Sequence, residues 1–216
     1  MSAEARLHPS LRDEPLFAAH LFPVDFGNRT AKVERLARRL AASAVERDRA
    51  GGSAHAEREL LRDSGLLTLA VPQQYGGQGV AWPEIYRIVR YLAAVDSSLA
   101  HLFAFQHLQV ATLLLFGNPE QQRHWLTRTV QERWFWGNAT NGRDTGLKLS
   151  TREEHYELNG SKSFCSGALG ADALVISAPR GKNPEDRVFI VLPSQREGLA
   201  VNSDWDGFGQ RQTDSG

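Results

Sequence analysis

Residues 119–139 read PEQQRHWLTRTVQERWFWGNA, and within this stretch the spacing of the apolar side chains changes from helical to alternating. Asn118, Pro119 and Glu120 open an amphipathic helix, with a capping side chain followed by proline in the first turn, that is predicted to reach about Thr129. The run RWFWGNA over 133–139 is short and aromatic, which suits a strand. We place the boundary between a helical half and a β half near residue 131.

Upstream, the chain reads as helix. Residues 1–27 hold Pro9, Pro15 and Pro23 without sustained periodicity and are expected to form an extended arm. From Asn28 onward Val33, Leu36, Leu40, Ala44 and Val45 form one amphipathic stripe, broken by Gly51 and Gly52. A short helix over 54–64 ends at Gly65, and the loop VPQQYGGQGV over 71–80 follows. Its Tyr75-Gly76-Gly77 corner is expected to be a structural turn with Gly76 or Gly77 at positive φ. Trp82, Pro83 and Glu84 open the next helix, whose buried stripe is Ile85, Ile88, Val89 and Leu92. Asp96 or Ser97 caps a helix over 99–116 that is apolar around most of its circumference and therefore central, and Gly117 ends it.

Downstream, 154–158, 161–166, 173–178, 188–192 and 199–202 read as further strands, separated by Gly, Asn, Asp and Pro. Helices followed by strands imply an α+β protein with segregated regions. The expected organisation is an arm over 1–27, an all-helical domain over 28–131 and an antiparallel, barrel-like β domain over 132–216. Asn159-Gly160 suits a type I′ hairpin turn, which would set Leu158 opposite Ser161, Glu157 opposite Lys162 and Tyr156 opposite Ser163. Alternation along that second strand would then put Phe164 and Ser166 on one face and Cys165 on the other.

Composition excludes several functions. The 216 residues are 41% hydrophobic, and Lys+Arg and Asp+Glu both number 25, so nothing draws the chain to nucleic acid or an anionic membrane. A single cysteine, Cys165, rules out an internal disulfide and cysteine-based metal centres and points to the cytoplasm. The N-terminus lacks a signal peptide's pattern, and the apolar stretches read as too short and interrupted to span a bilayer. The seven histidines do not pair at metal-ligand spacing, so no metal site is expected. No complete dinucleotide fingerprint, P-loop, G-x-S-x-G or H-E-x-x-H motif is present.

Four segments, taken in order, carry a family resemblance. VPQQYGGQGV over 71–80 resembles the P-x-x-Y-G-G loop of the acyl-CoA dehydrogenase superfamily, and FGNPEQQRHW over 116–125 resembles its G-x-x-x-Q-x-x-x-[WY]-L helix. NGSKSFCSG over 159–167 is similar to its N-G-x-K-x-[WF]-[IC]-[ST] strand, and WDGFGQRQTDSG over 205–216 to its G-x-R-x-[ST]-x-S segment. Dehydrogenases of the superfamily usually carry T-E-P-x-x-G-S-D at the flavin-binding strand; here 137–144 read GNATNGRD, without the Glu-Pro. WGNATN, FCSGA and WDGFGQRQTDSG look instead like the reduced-flavin-dependent monooxygenases of the dibenzothiophene and sulfur-acquisition type.

That resemblance implies a two-component FMNH2-dependent monooxygenase, which takes reduced FMN from a separate NAD(P)H:flavin reductase and transfers oxygen through a flavin C4a-(hydro)peroxide to a small organosulfur or related substrate. It implies Asn138, Ser166 and His101 as catalytic residues, and Asn138, Ala139, Thr140, Phe164, Ser166 and Trp205 as flavin contacts. Phe105, His101 and Trp205 would line the substrate pocket. Polar donors in a pocket that excludes water are what such oxygen chemistry needs. The dibenzothiophene members have H-L-Y-x-Y in the central helix, whereas residues 101–105 are HLFAF, so Phe105 lacks a hydroxyl. Family members continue into the rest of the β domain and a C-terminal four-helix bundle that completes the pocket and builds a homo-oligomer. The 216 residues are therefore expected to bind flavin weakly and to expose an apolar surface. The alternatives are an FAD-dependent acyl-CoA dehydrogenase, or a truncated, non-catalytic fragment.

Overall fold

A computed structural model of the chain describes residues 25–153, 155–181 and 186–216. The expected arm lies outside the described residues up to position 24. Six α-helices follow among the described residues: α1 (Thr30–Ala41), α2 (Ala44–Ala50), α3 (His55–Asp63), α4 (Trp82–Ala93), α5 (Ser97–Phe116) and α6 (Pro119–Gln131). Val33, Leu36, Ala37 and Leu40 are the buried stripe of α1, and Ile85, Ile88, Tyr91 and Leu92 that of α4. The sequence stripe named Val89 for α4; it is half-buried, and Tyr91 takes the inward position with its ring edge-on to Phe26.

Asp96 caps α5 by accepting from the Leu99 N–H at 3.0 Å, which satisfies one of the helix's orphan donors. Gly117 ends it because a Cβ there would stand 2.6 Å from the Leu113 carbonyl oxygen. Asn118 and Gln121 then form a reciprocal capping box that starts α6. α5 packs against α4, α6 and the first strand, as a helix apolar on nearly all sides must. Against the expectation that every apolar stretch is too short, its 20 residues are long and apolar enough to satisfy the length and composition of a membrane span. Half of that window is buried inside the protein, as in a core helix.

Five strands follow among the described residues: β1 (Trp136–Ala139), β2 (Leu147–Thr151), β3 (Tyr156–Gly160), β4 (Ala173–Pro179) and β5 (Arg187–Pro193). One sheet has the order β1-β4-β5 and a second pairs β2 with β3. β1 runs parallel to β4, with Trp136 opposite Ala173, and β5 returns antiparallel with Ala173 opposite Pro193. The sheet is therefore mixed rather than antiparallel. Parallel pairing needs a long crossover, and residues 140–172, which carry the β2-β3 ribbon, provide it. Ala173 to Ala178 of β4 are all buried, so this strand is the sheet's centre, and its sequence is apolar apart from Ser177.

The Asn159-Gly160 hairpin is not formed. Both residues lie within β3, Asn159 opposite Lys148 and Gly160 opposite Leu147, and β2 pairs with β3 so that beyond Thr151 the Arg152 N–H donates to His155 O at 2.8 Å. A type I′ turn needs positive φ at both central residues, and of the two only Gly160 has it, at 120°. A Cβ at Gly160 would lie 2.1 Å from the Gly146 carbonyl oxygen, so this glycine serves a close strand approach. Glu157 consequently faces Ser150 and bonds Arg152 at 2.8 Å, while Lys162 donates to the carbonyl of Asn141 at 2.5 Å. Residues 161–166 and 199–202, both expected as strands, are irregular, and β2 was not foreseen.

Candidate active site

The site forms where α5 meets β1 and the irregular segment after β3. His101, Phe105 and Gln109 recur every four residues along α5 and share one face. The His101 and Phe105 rings stack with centroids 4.5 Å apart. Asn138 in β1 donates its backbone N–H to the Ser166 carbonyl at 2.9 Å, which brings the two polar residues side by side. Their side chains both reach α5, Asn138 through Gln109 and Ser166 through His101.

The amide of Asn138 is oriented by two donors. Its Oδ1 accepts from Gln109 Nε2 at 2.9 Å and from Thr140 Oγ1 at 2.7 Å. A carbonyl oxygen has two lone pairs, so this acceptor is filled, and among the described residues Nδ2 has no hydrogen-bond partner. A pair of amide N–H donors is thereby left for a ligand. Gln109 in turn keeps its Oε1 buried without a partner among the described residues.

Ser166 Oγ stands 2.9 Å from His101 Nε2 and accepts from Ser215 Oγ at 3.1 Å, and Thr213 Oγ1 lies 2.7 Å beyond Ser215. Burial holds the His101 imidazole below its usual pKa, which keeps it neutral at physiological pH. Residues 213 and 215 are fastened beneath 165–167 by Cys165 N–H to Ser215 O at 3.1 Å and Gly167 N–H to Thr213 O at 2.7 Å. Between them Asp214 forms a buried ion pair with Arg58 at 2.9 Å and accepts from Ser53 Oγ at 2.9 Å.

Phe164 departs from the sequence reading. Its backbone is left-handed at φ 57°, its ring is 59% exposed, and it does not share a buried face with Ser166. Alternation fails there because 161–166 is not a strand. Phe164 instead meets Trp205 edge-on at 5.6 Å, and Trp205 Nε1–H donates to the Gln210 carbonyl at 2.8 Å. Cys165 is buried, and burial pushes its thiol up to about 11, so it stays protonated and unreactive.

An open cleft of about 1000 Å³ is lined by Thr112, Phe116, Ala139, Cys165, Ile176 and Val201 among others. None of Asn138, Ser166, His101, Phe164 or Trp205 lines it. Near its mouth Leu115 and Phe116 stand exposed at the end of α5, with Phe116 stacked on Phe189 at 4.8 Å. Among the described residues no three His, Cys, Asp or Glu side chains gather as a metal site requires. Sequence reasoning missed Gln109, Thr213 and Ser215. The first was legible as a polar residue four positions beyond Phe105 in an apolar helix, and the others lie within the segment 205–216 that the resemblance already marked.

A helical half packed through one apolar helix onto a small mixed sheet, with amide and hydroxyl groups at the junction, is the acyl-CoA dehydrogenase-like fold. Residues 29–133 match the family Acyl-CoA dehydrogenase, N-terminal domain, and the chain belongs to that superfamily. Within it, the chain is 46% identical over 186 residues to the Probable FMNH2-dependent monooxygenase SfnC of Pseudomonas putida, covering 86% of this chain and 47% of that protein. It is 43% identical over 208 residues to a dibenzothiophene monooxygenase of Rhodococcus erythropolis, covering 91% of this chain and 50% of that one. The solved complex of TdsC from Paenibacillus sp. A11-2 with FMN and indole superposes with a TM-score of 0.80 at 41% identity, over 86% of this chain and 48% of that chain. The chain spans about half the length of the relatives it matches.

Proposed function

We propose that the chain forms the helical domain, over 28–131, and part of the β domain, over 132–216, of a two-component FMNH2-dependent monooxygenase acting on a small organosulfur compound. The observation that carries this reading is the Asn138 amide, whose acceptor is saturated from within the protein while its donors are free for a ligand. Reduced FMN, delivered by a separate NAD(P)H:flavin reductase, supplies the two electrons by which one oxygen atom of O2 goes to the substrate and the other to water. The residues present fit such a group. Asn138 and Thr140 would hold its edge, Ser166 and His101 would offer hydrogen bonds beside it, and Phe164 and Trp205 would wall the pocket, with Ala139 as backbone support.

Each side chain has a defined task. Asn138 presents N–H donors without reorganisation, because Gln109 and Thr140 already fix its orientation. His101, neutral and stacked on Phe105, can accept or donate one proton at the substrate side. Phe105 gives that wall an apolar surface with no hydroxyl. The barrel-like completion of the sheet, the homo-oligomer and a cytoplasmic location belong to the same proposal.

The test uses the protein that contains this chain, supplied with FMN, NADH and a flavin reductase. Reductase-dependent O2 uptake with oxygenation of an organosulfur substrate supports the reading. Bleaching of a bound flavin by an acyl-CoA thioester without oxygen would overturn it in favour of an FAD-dependent dehydrogenase.

A further inference from the structure

We propose that Arg58 of α3 is a positioning residue for Ser166: its one buried guanidinium ties the turn that follows Ser166 to the segment packed beneath it. The catalytic meaning of this clasp rests on the proposed place of Ser166 in the pocket. His55, Arg58 and Arg62 stand at i, i+3 and i+7 of α3 and share one face of that helix. All three side chains of this face are polar, and Arg58 and Arg62 reach across to residues 169–172 and 214 of the β half.

Arg58 Nη1 carries two protons and has two acceptors, Asp214 Oδ2 at 2.9 Å and the Leu169 carbonyl. Nη2, which can only donate, faces His55 Nδ1 at 2.7 Å. Leu169 follows Ser166 within a stretch folded by Ala168 N–H to Cys165 O at 2.9 Å and Ala171 N–H to Ala168 O at 3.2 Å. Asp214 adjoins Ser215, whose Oγ donates to Ser166 Oγ at 3.1 Å. A single nitrogen thus binds both segments whose contact sets Ser166, and Ser166 Oγ in turn stands 2.9 Å from His101 Nε2. Arg58 bonds neither Ser166 nor His101, so its influence on the site passes through Leu169 and Asp214.

The surrounding residues are shaped for this guanidinium. Gly170 has φ 82°, and a Cβ there would fall 2.2 Å from Arg58 Nη2, so glycine lets the arginine lie against the backbone. Arg62, one turn further along α3, donates to Asp172 Oδ2 at 2.8 Å, and that oxygen also accepts the Phe135 N–H at 2.6 Å. The turn after Ser166 is therefore held at two points by one helix face. Ser53 Oγ fixes Asp214 from a second side at 2.9 Å. The Arg58 and Asp214 side chains are only 6% and 5% exposed. A pair so buried adds little net stability over apolar groups of the same volume, and what it supplies here is direction. Direction is what the site needs, because a displacement of about 1 Å at a reacting group costs on the order of 100-fold in rate.

Histidine ring nitrogen-15 spectra of the protein that contains this chain read the contact between Ser166 and His101, with the His101 signal assigned by its loss in His101→Gln. Ser166→Ala gives the position of that signal without the hydroxyl. The double variant Arg58→Met/Asp214→Leu leaves no buried charge alone, and in it the His101 signal should move toward the Ser166→Ala position. The other histidine signals should stay in place, apart from His55, which loses Arg58 as its neighbour. Arg58→Lys, which keeps a cation opposite Asp214, should return the signal part of the way. In the assembled enzyme with its reductase, the double variant should lose about tenfold or more in kcat for oxygenation at an unchanged KM for the substrate. If the double variant fails to fold, Gly170→Ala, which pushes the guanidinium aside without altering any charge, is read in the same way. An unmoved His101 signal in the folded variants overturns the proposal. No flavin or substrate enters these spectra, so a moved signal combined with wild-type oxygenation would uphold the clasp and count instead against the place given to Ser166 in the reaction.

Discussion

Gln109 donates its side-chain N–H to Asn138 Oδ1 at 2.9 Å, a bond from α5 to a strand residue 29 positions later in the chain. It leaves the other end of Gln109, Oε1, buried and unbonded. A substitution that removes the whole amide thus loses one hydrogen bond, worth about 1 kcal/mol, and also relieves a stranded acceptor that costs about 1–3 kcal/mol. Gln109→Met is expected to leave stability within about 1 kcal/mol of wild type in urea unfolding. The same change frees the Asn138 amide to rotate, so in the assembled enzyme the fraction of reducing equivalents lost as hydrogen peroxide should rise. Gln109→Glu, an acceptor of similar size, should turn the Asn138 amide around and raise peroxide further, and unchanged coupling in both variants would show that Gln109 does not orient Asn138.

Asn138→Ala tests the donor itself. Loss of one preorganised donor to developing charge typically costs about 2.7–4 kcal/mol in the chemical step. The variant should keep its fold, since only the partners Gln109 and Thr140 lose an acceptor, and should consume O2 mainly as peroxide. Wild-type coupling in the Asn138→Ala enzyme would remove this residue from the oxygen chemistry.

Arg58 and Asp214 tie the last described segment to α3 through a buried ion pair at 2.9 Å. Burial depresses the Arg58 guanidinium and raises the Asp214 carboxyl, each against the pull of its partner, so desolvation is the dominant effect on both. Truncating one member leaves the other charge buried. Asp214→Leu should cost about 3–5 kcal/mol, and adding Arg58→Met should return part of that loss, because a buried pair replaced by apolar groups is often nearly neutral. Urea unfolding of the two single variants and the double variant measures the coupling; strictly additive losses would mean that the pair does not act as a unit.

The helical half was legible because its signals are local. Asp96, Asn118 and Pro119 announce helix starts through chemistry that acts within one turn, and α5 declares its central place by being apolar all round. The β half was less legible because strand pairing is decided by partners far away in sequence. Asn159-Gly160 carries a strong hairpin signal, yet Gly160 is needed for close approach to Gly146, a contact that no local pattern reveals. The same error misplaced Phe164, since its alternation argument depended on that hairpin. Asn138, Ser166 and His101 were named through family resemblance and do converge on one face of α5. Gln109 and Ser215 escaped notice because each meets the site only by bonding another side chain, Asn138 and Ser166 respectively, and sequence does not show whose lone pair a side chain fills.

The Tyr75-Gly76-Gly77 corner uses its two glycines for different reasons, and substitution should separate them. Gly76 has φ 86°, and a Cβ there would meet nothing nearer than Val130 Cγ1 at 3.4 Å. Gly76→Ala should therefore cost only the left-handed strain, about 1–2 kcal/mol. Gly77 has no such φ, but its Cβ would fall 2.1 Å from the Val71 carbonyl oxygen, which is backbone and does not yield. Gly77→Ala should cost more, on the order of 3 kcal/mol or above. Thermal melts of the two variants rank them, and a Gly76→Ala loss equal to or above that of Gly77→Ala would contradict the packing explanation.

His107 gives the fold a predictable response to acid. It lies fully buried in α5, edge-on to Phe103 at 4.7 Å, and neither ring nitrogen has a partner among the described residues. Burial lowers its pKa from 6.5 to about 3. Below pH 6.5 the unfolded chain takes up a proton on this ring that the folded chain refuses, so stability falls as the pH drops. The loss from this group should be about 2 kcal/mol between pH 7 and pH 5 and about 4 kcal/mol by pH 3, where the folded state also begins to bind the proton. His107→Leu removes the titrating ring while keeping an apolar side chain against Phe103. The difference in unfolding free energy between wild type and His107→Leu, followed by urea titration at several pH values, should shift in favour of the variant as the pH falls through 6.5. A difference that stays constant from pH 7 to pH 4 would show that the ring is protonated as readily inside the fold as outside it.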